Sequence, residues 1–226
     1  MKKVLVVVAH PDDEVLGMGG TLARLSDEGC DVHLLIVTDG SSSQYKNNPK
    51  LLQIIEKKKA ETEKAAEILN IKTVNYGGLP DMMLDCTPHT EVNSVIERTI
   101  EKYKPDTIFT HFWGDVNKDH RCVYESVAVA ARPMPGQMIK EIYCFRVPSS
   151  TEWMPYQTST MFMPNVFFNI SKYADKKSKA MAAYETEIRD YPHPRSLLYL
   201  KKIDEATGLQ VGSEAVEPFV LLRKIT

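Results

Sequence analysis

Strand-like and helix-like stretches alternate through the first 145 residues of the chain, and this order limits the fold more than any other feature. Lys3–Ala9 is a continuous apolar run rich in valine, as in a strand covered on both faces. Further strands are expected at Asp31–Thr38, Thr73–Tyr76, Thr107–Thr110 and Ile139–Arg146. Between them the spacing predicts helices over Gly19–Glu28, Pro49–Leu69, Val92–Tyr103 and Asp119–Ala131. Strands joined by helical crossovers pair in parallel. The expected fold is therefore α/β: a Rossmann-like, mostly parallel sheet flanked by helices. The remainder reads as a strand at Asn165–Ile170, a helix from Ser171 to about Asp190, a helix at Ser196–Glu205 and a final strand at Ala215–Arg223. The Pro-rich stretches at Pro133–Pro135 and Pro148–Pro164 read as loops, so residues 1–226 are expected to form one domain.

Composition excludes more than it selects. The formal charge is −2, so no bulk field draws the chain to nucleic acid or an acidic membrane surface. No window reaches the ~18 apolar residues of a membrane span, and Val4–Ala9 is too short for a secretory core, so it reads as a buried first strand. The four cysteines, Cys30, Cys86, Cys122 and Cys144, form no close pair, which suits reduced thiols and a cytoplasmic location.

The chemistry concentrates in Ala9-His10-Pro11-Asp12-Asp13-Glu14, directly after the first strand. Ligands bind outside the carboxyl ends of parallel strands. His10 and Asp13 are three positions apart, so one turn can aim both at a point, and imidazole with carboxylate makes half of a zinc site. Asp12 between them points elsewhere and stays free of metal. A third ligand has to come from another strand end. His33 lies inside a strand and His89 at a helix start, both structural readings. His120, heading a helix in Asp115-x-Asn117-x-Asp119-His120, is preferred, with His111 in reserve. Two histidines and one carboxylate leave a position open for water. The plainer alternative is a turn in which Asp13 caps the next helix. A dinucleotide site is disfavoured: Leu22 occupies the third position of G-x-G-x-x-G from Gly17 and Gly19, and Asp12, Asp13 and Glu14 would repel a pyrophosphate.

The first motif, with the glycine-rich stretch Gly17-Met18-Gly19-Gly20 behind it, resembles the signature of the PIG-L/LmbE-like zinc-dependent N-deacetylases. Thr38-Asp39-Gly40, Asp115-x-Asn117-x-Asp119-His120, His193-Pro194-Arg195-Ser196 and Gly212–Phe219 extend the resemblance over nearly the whole chain. It implies one Zn²⁺ per chain on His10, Asp13 and His120, Asp12 as general base, and Asp119 as the acidic residue before the last ligand. It also implies a small N-acylated amino-sugar substrate that loses acetate to give a free amine, with homo-oligomer formation left open. One departure stands out: many members carry histidine where this chain has Asn117, and that histidine helps stabilise the transition state. Asn117 itself, His193, Arg195 or His111 would then supply the missing donor. Arg195, His111, Trp113 and Asp39 are the expected substrate contacts, and the loop aromatics Phe112, Trp153 and Tyr156 could stack on a sugar ring. Two rivals remain: a non-haem Fe(II) enzyme, which uses the same two-His-one-carboxylate donors, and a non-catalytic sugar-binding protein.

Overall fold

The computed structural model describes residues 1–226. The elements run β1 (Lys3–Val8), α1 (Asp13–Asp27), β2 (Asp31–Thr38), α2 (Leu51–Leu69), β3 (Thr73–Leu79), α3 (His89–Tyr103) and β4 (Thr107–His111). They continue with α4 (Lys118–Ala130), β5 (Glu141–Phe145), β6 (Val166–Asn169), α5 (Ala174–Ala183), α6 (Leu197–Leu209) and β7 (Val216–Lys224). The seven strands form one sheet in the order β3-β2-β1-β4-β5-β7-β6. Strands β1 to β5 are parallel, and β7 runs antiparallel between β5 and β6. The α/β, mostly parallel architecture expected from the strand–helix alternation is the one observed.

β1 shows why the order works. Val4, Val6 and Val8 face one core, shared with α1, α2, α5 and α6, while Leu5, Val7 and Ala9 face another, shared with α3 and α4. All six are fully buried. A side-chain period of two in a strand covered on both faces leaves no place for a polar residue, hence the unbroken apolar run. Each fully buried valine or leucine contributes roughly 1.5–3 kcal/mol of transfer free energy. The sheet order reverses at β1, between β2 and β4, which opens a crevice at the carboxyl ends of β1 and β4.

α1 and α5 differ most from expectation, and α6 also runs four residues past the expected Glu205, to Leu209. α1 starts at Asp13, six residues before the expected Gly19, because the glycine-rich stretch is helical rather than a turn. A Cβ on Gly17 would overlap the Phe145 ring, and one on Gly20 would lie 2.7 Å from Ile170 Cδ1. Those glycines let the helix lie close on the sheet, and Met18 (φ −153°, ψ 25°) takes up the kink. α5 ends at Ala183 rather than near Asp190. Beyond it Tyr184 turns inward to full burial, and Thr186 donates its hydroxyl to Glu61 Oε2 (2.6 Å). Tertiary partners capture this stretch more strongly than helical propensity holds it.

Candidate active site

The carboxyl end of β1 runs straight into the site. Asp12 adopts φ 104°, ψ −26°, a conformation that costs a non-glycine residue of order 1–3 kcal/mol. The bend lets α1 begin at Asp13, and the His10 N–H donates to Asp13 Oδ2 (2.8 Å). Glu14 Oε2 accepts from the Asp12 N–H (3.2 Å), and Tyr184 donates to Glu14 Oε1 (2.5 Å). Asp13 and Glu14 thus occupy the first turn of a helix, where the macrodipole favours carboxylates.

The second half of the site comes from β4 and α4. Asn117 caps α4, its side-chain oxygen accepting from the Asp119 N–H (2.9 Å). This places His120 in the first helical turn, with its ring turned back over the sheet edge. His10 Nδ1 and His120 Nε2 are 3.3 Å apart. Asp13 Oδ2 lies 3.4 Å from the first and Oδ1 3.4 Å from the second. One donor atom from each of His10, Asp13 and His120 lies within 4.8 Å of the others, so these three residues can hold a metal ion. The far nitrogen of each imidazole is anchored: His10 Nε2 lies 3.2 Å from Asp119 Oδ2, and His120 Nδ1 lies 3.2 Å from Asp115 Oδ2. Asp119 also accepts from the Met82 and Leu84 N–H groups (2.7 and 3.1 Å), and Asp115 from the Ser150 and Thr151 hydroxyls. Carboxylates behind both histidines fix tautomer and ring angle, as in protein metal sites generally.

The charges fit a cation. Burial opposes protonation of His10, yet Asp119, Asp13 and Asp81 outweigh it and push its pKa up to about 10. His120 is likewise pushed up to about 9 by Asp13 and Asp115 against its burial. Burial would raise Asp13, but His120, His10 and His111 hold it well below the usual carboxylate range. The carboxylates around the two imidazoles thus favour positive charge at this point. Asp12 goes the other way: burial pushes its pKa well above the usual range, Asp13, Glu187 and Glu14 add to this, and Arg195 opposes it. Its Oδ2 is buried without a hydrogen-bond partner, with Arg195 Nη1 3.4 Å away.

A cleft of about 270 Å³ opens over Asp12 and His10, and Asn117 and Arg195 also line it. The other proposed contacts lie elsewhere. His111 is fully buried, its Nε2 accepts from the Ala9 N–H (2.8 Å) and its ring stacks on His120 at 4.0 Å. It backs His120 and has no face open to substrate. Trp113 donates to the Ser159 carbonyl and packs against Phe112 and Tyr124 away from the cleft. His193 accepts the Arg195 N–H on Nδ1 (3.0 Å) and faces Trp153 rather than the cleft. Asp39 accepts from the Ser41 and Ser42 N–H groups and so shapes the loop after β2. His33 bonds Thr73 and stacks on Tyr103, far from the site.

Sequence reasoning overlooked Asp81, Lys58 and Glu187, all on the cleft wall. Asp81 carried a usable signal, since it follows the end of β3. Lys58 and Glu187 carried none, being ordinary charges 129 positions apart, yet they form a 2.8 Å ion pair.

Comparisons with known proteins agree with this arrangement. The chain is 30% identical over 192 residues to a probable N-acetyl-α-D-glucosaminyl L-malate deacetylase 2 of Bacillus cereus, covering 82% of this chain and 84% of the relative. It is 28% identical over 193 residues to a diacetylchitobiose deacetylase of Thermococcus kodakarensis, covering 83% of this chain and 70% of that one. The structure superposes on the N,N′-diacetylchitobiose deacetylase of Pyrococcus horikoshii with a TM-score of 0.79 at 22% identity, over 98% of this chain and 84% of that one. The sequence model of the PIG-L family, GlcNAc-PI de-N-acetylase, matches residues 5–131, the stretch that carries His10, Asp12, Asp13 and His120, and the chain is a member of that family.

Proposed function

We propose that the protein is a zinc-dependent hydrolase that removes an acetyl group from the nitrogen of an amino sugar, releasing acetate and a free amine. The observation that carries this reading is the convergence of His10, Asp13 and His120 beside Asp12, a strained, buried carboxylate with an unpartnered oxygen. The deacetylase relatives support the reaction class, and two nitrogens with one oxygen suit zinc. A divalent cation there supplies Lewis acidity, acidifying water and polarising an amide carbonyl.

The chain's own residues do the rest. Asp12 takes the proton from the attacking water and delivers it to the departing nitrogen, a role open to it because it stands beside the donor set with one oxygen free of hydrogen bonds. Asp119 and Asp115 keep His10 and His120 aimed inward. Arg195 is the charged group at the cleft that offsets the loss of a histidine at Asn117. It steadies Asp12 through Nη1 and leaves Nη2 as a hydrogen-bond donor to the substrate carbonyl oxygen. Asn117, which also lines the cleft, adds a neutral donor through its Nδ2.

The test is amine release from N,N′-diacetylchitobiose and other N-acetylated sugars by protein loaded with one equivalent of Zn²⁺. Turnover that disappears on chelation and returns with zinc is expected. Absence of amine release across such a panel, at any metal loading, would overturn the proposal.

A further inference from the structure

The cleft wall is charged, but its charges are already spoken for, and this bears on which amino sugars it accepts. Beyond His10 of the donor set, two basic residues line it, Lys58 and Arg195, against three carboxylates, Asp12, Asp81 and Glu187. Lys58 is buried, donating to the Gly40 carbonyl (2.6 Å) and pairing with Glu187 Oε1 (2.8 Å). Arg195 Nη1 donates to the other oxygen of the same carboxylate, Glu187 Oε2 (2.6 Å), and its Nε donates to Ser149 Oγ (2.9 Å). One carboxylate therefore bridges both cations. Thr186, next to Glu187, is itself tied to Glu61 on α2 through its N–H and hydroxyl (3.3 and 2.6 Å), which fixes the bridge in place.

Asp81, on the facing wall, reaches His10 Nε2 at 3.4 Å through Oδ1, and its other oxygen has no protein partner. A sugar hydroxyl can donate to such an oxygen; a phosphate or carboxylate cannot. An anionic substituent lying here would meet Asp81 and Glu187, with both cations already held on Glu187 rather than turned towards it. Like charges left facing each other set specificity by repulsion.

We infer that Glu187, by bridging Lys58 and Arg195, makes the cleft select uncharged N-acetylated sugars over sugars that carry a carboxylate or phosphate near the amide. The inference rests on the deacetylase reading above and narrows its substrate class. Arg195 retains Nη2 without a protein partner, enough for a neutral hydroxyl or carbonyl but paired too closely with Glu187 to act as a free cation.

The experiment compares N,N′-diacetylchitobiose with N-acetyl-α-D-glucosaminyl L-malate on zinc-loaded wild type, Glu187→Gln and Asp81→Asn, at low and high salt. Wild type should favour the neutral sugar in kcat/KM by on the order of tenfold or more. Glu187→Gln, which frees two cations, should shrink that preference on the order of tenfold, mainly through a lower KM for the malate conjugate, and salt should erase the change. Asp81→Asn should shrink it in the same direction without touching Lys58 or Arg195. The preference is a ratio between two substrates, so a shared loss of folding or catalysis cancels. Calorimetric binding of both sugars reads the same preference without turnover. Neutral-sugar binding without amine release would sustain the selectivity and sink the deacetylase reading. A wild-type preference for the malate conjugate, or a ratio unmoved by both variants, would overturn the inference.

Discussion

Two clusters of buried charge lie in this molecule, and they differ in kind. Between α5, α6 and β7, Lys177 Nζ sits 2.8 Å from Asp204 and 2.8 Å from Glu217. Glu217 also accepts the N–H groups of Gly20 and Thr21 (3.0 and 2.6 Å), so every part of that cluster is paired and it ties α1 to β7. At the ends of β1 and β4 the balance fails: Asp12 has a buried oxygen without a hydrogen-bond partner, its backbone is strained, and two histidines are driven towards protonation. A satisfied buried ion cluster holds a fold together; an unbalanced one is held in place by the fold and waits for a ligand.

The largest effect expected from breaking this contrast is at His120. His120→Ala removes one of the three proposed metal donors, so zinc retention should fall from about one per chain to near zero, with activity lost alongside it. Metal analysis after dialysis checks this. The same measurement on His111→Ala should still find metal, because His111 only backs the site; stoichiometric zinc in His120→Ala would remove that residue from the ligand set.

Asp12→Asn should come next, lowering kcat by ~10²-fold or more with zinc retained. Because the wild-type carboxylate is buried without a hydrogen bond to its Oδ2 and meets Arg195 only at 3.4 Å, thermal stability should hold or rise. A marked drop in Tm would show that Asp12 is structural after all.

The balanced cluster should respond in the opposite currency. Lys177→Met leaves Asp204 and Glu217 facing each other in a buried site, and breaking such a pair costs about 3–5 kcal/mol. Denaturant unfolding should show the loss, while kcat per folded molecule stays close to wild type. Equal damage to kcat and stability would dissolve the distinction between the clusters.

Smaller effects sharpen the picture within the site. Asp115→Asn, which keeps shape but removes the charge behind His120, should weaken metal affinity about 10–100-fold. Competition with a chelator measures it. His193→Ala should change kcat/KM by less than about threefold, since its ring faces Trp153 and the outside of the cleft. A loss of a hundredfold there would mean that His193 swings inward when substrate binds.

How legible all this was in the sequence depended on distance along the chain. His10, Asp12 and Asp13 could be read together because four consecutive residues after an apolar strand leave few ways to point. The start of α1 was misjudged for a local reason: glycines signal a turn unless something packs against them, and the packing partners, Phe145 and Ile170, are more than a hundred residues away. A strand end and an aromatic loop suit substrate contact, which is what the sequence suggests for His111 and Trp113, but neither burial nor facing direction is written in a loop.

The sequence by itself determined the order of strands and helices, the apolar strand that carries the first motif, and the residue types able to bind a metal. Those follow from periodicity and side-chain chemistry, which act over a few residues. Only the tertiary structure decided that His120 comes within reach of His10 and Asp13 while His111 packs behind it, that Asp115 and Asp119 stand behind the histidines, and that Glu187 joins Lys58 to Arg195. Each of those is a contact between residues brought together by the sheet's crossovers. A side chain's role at such a point is set by which neighbour satisfies its charge, and no local pattern records that neighbour.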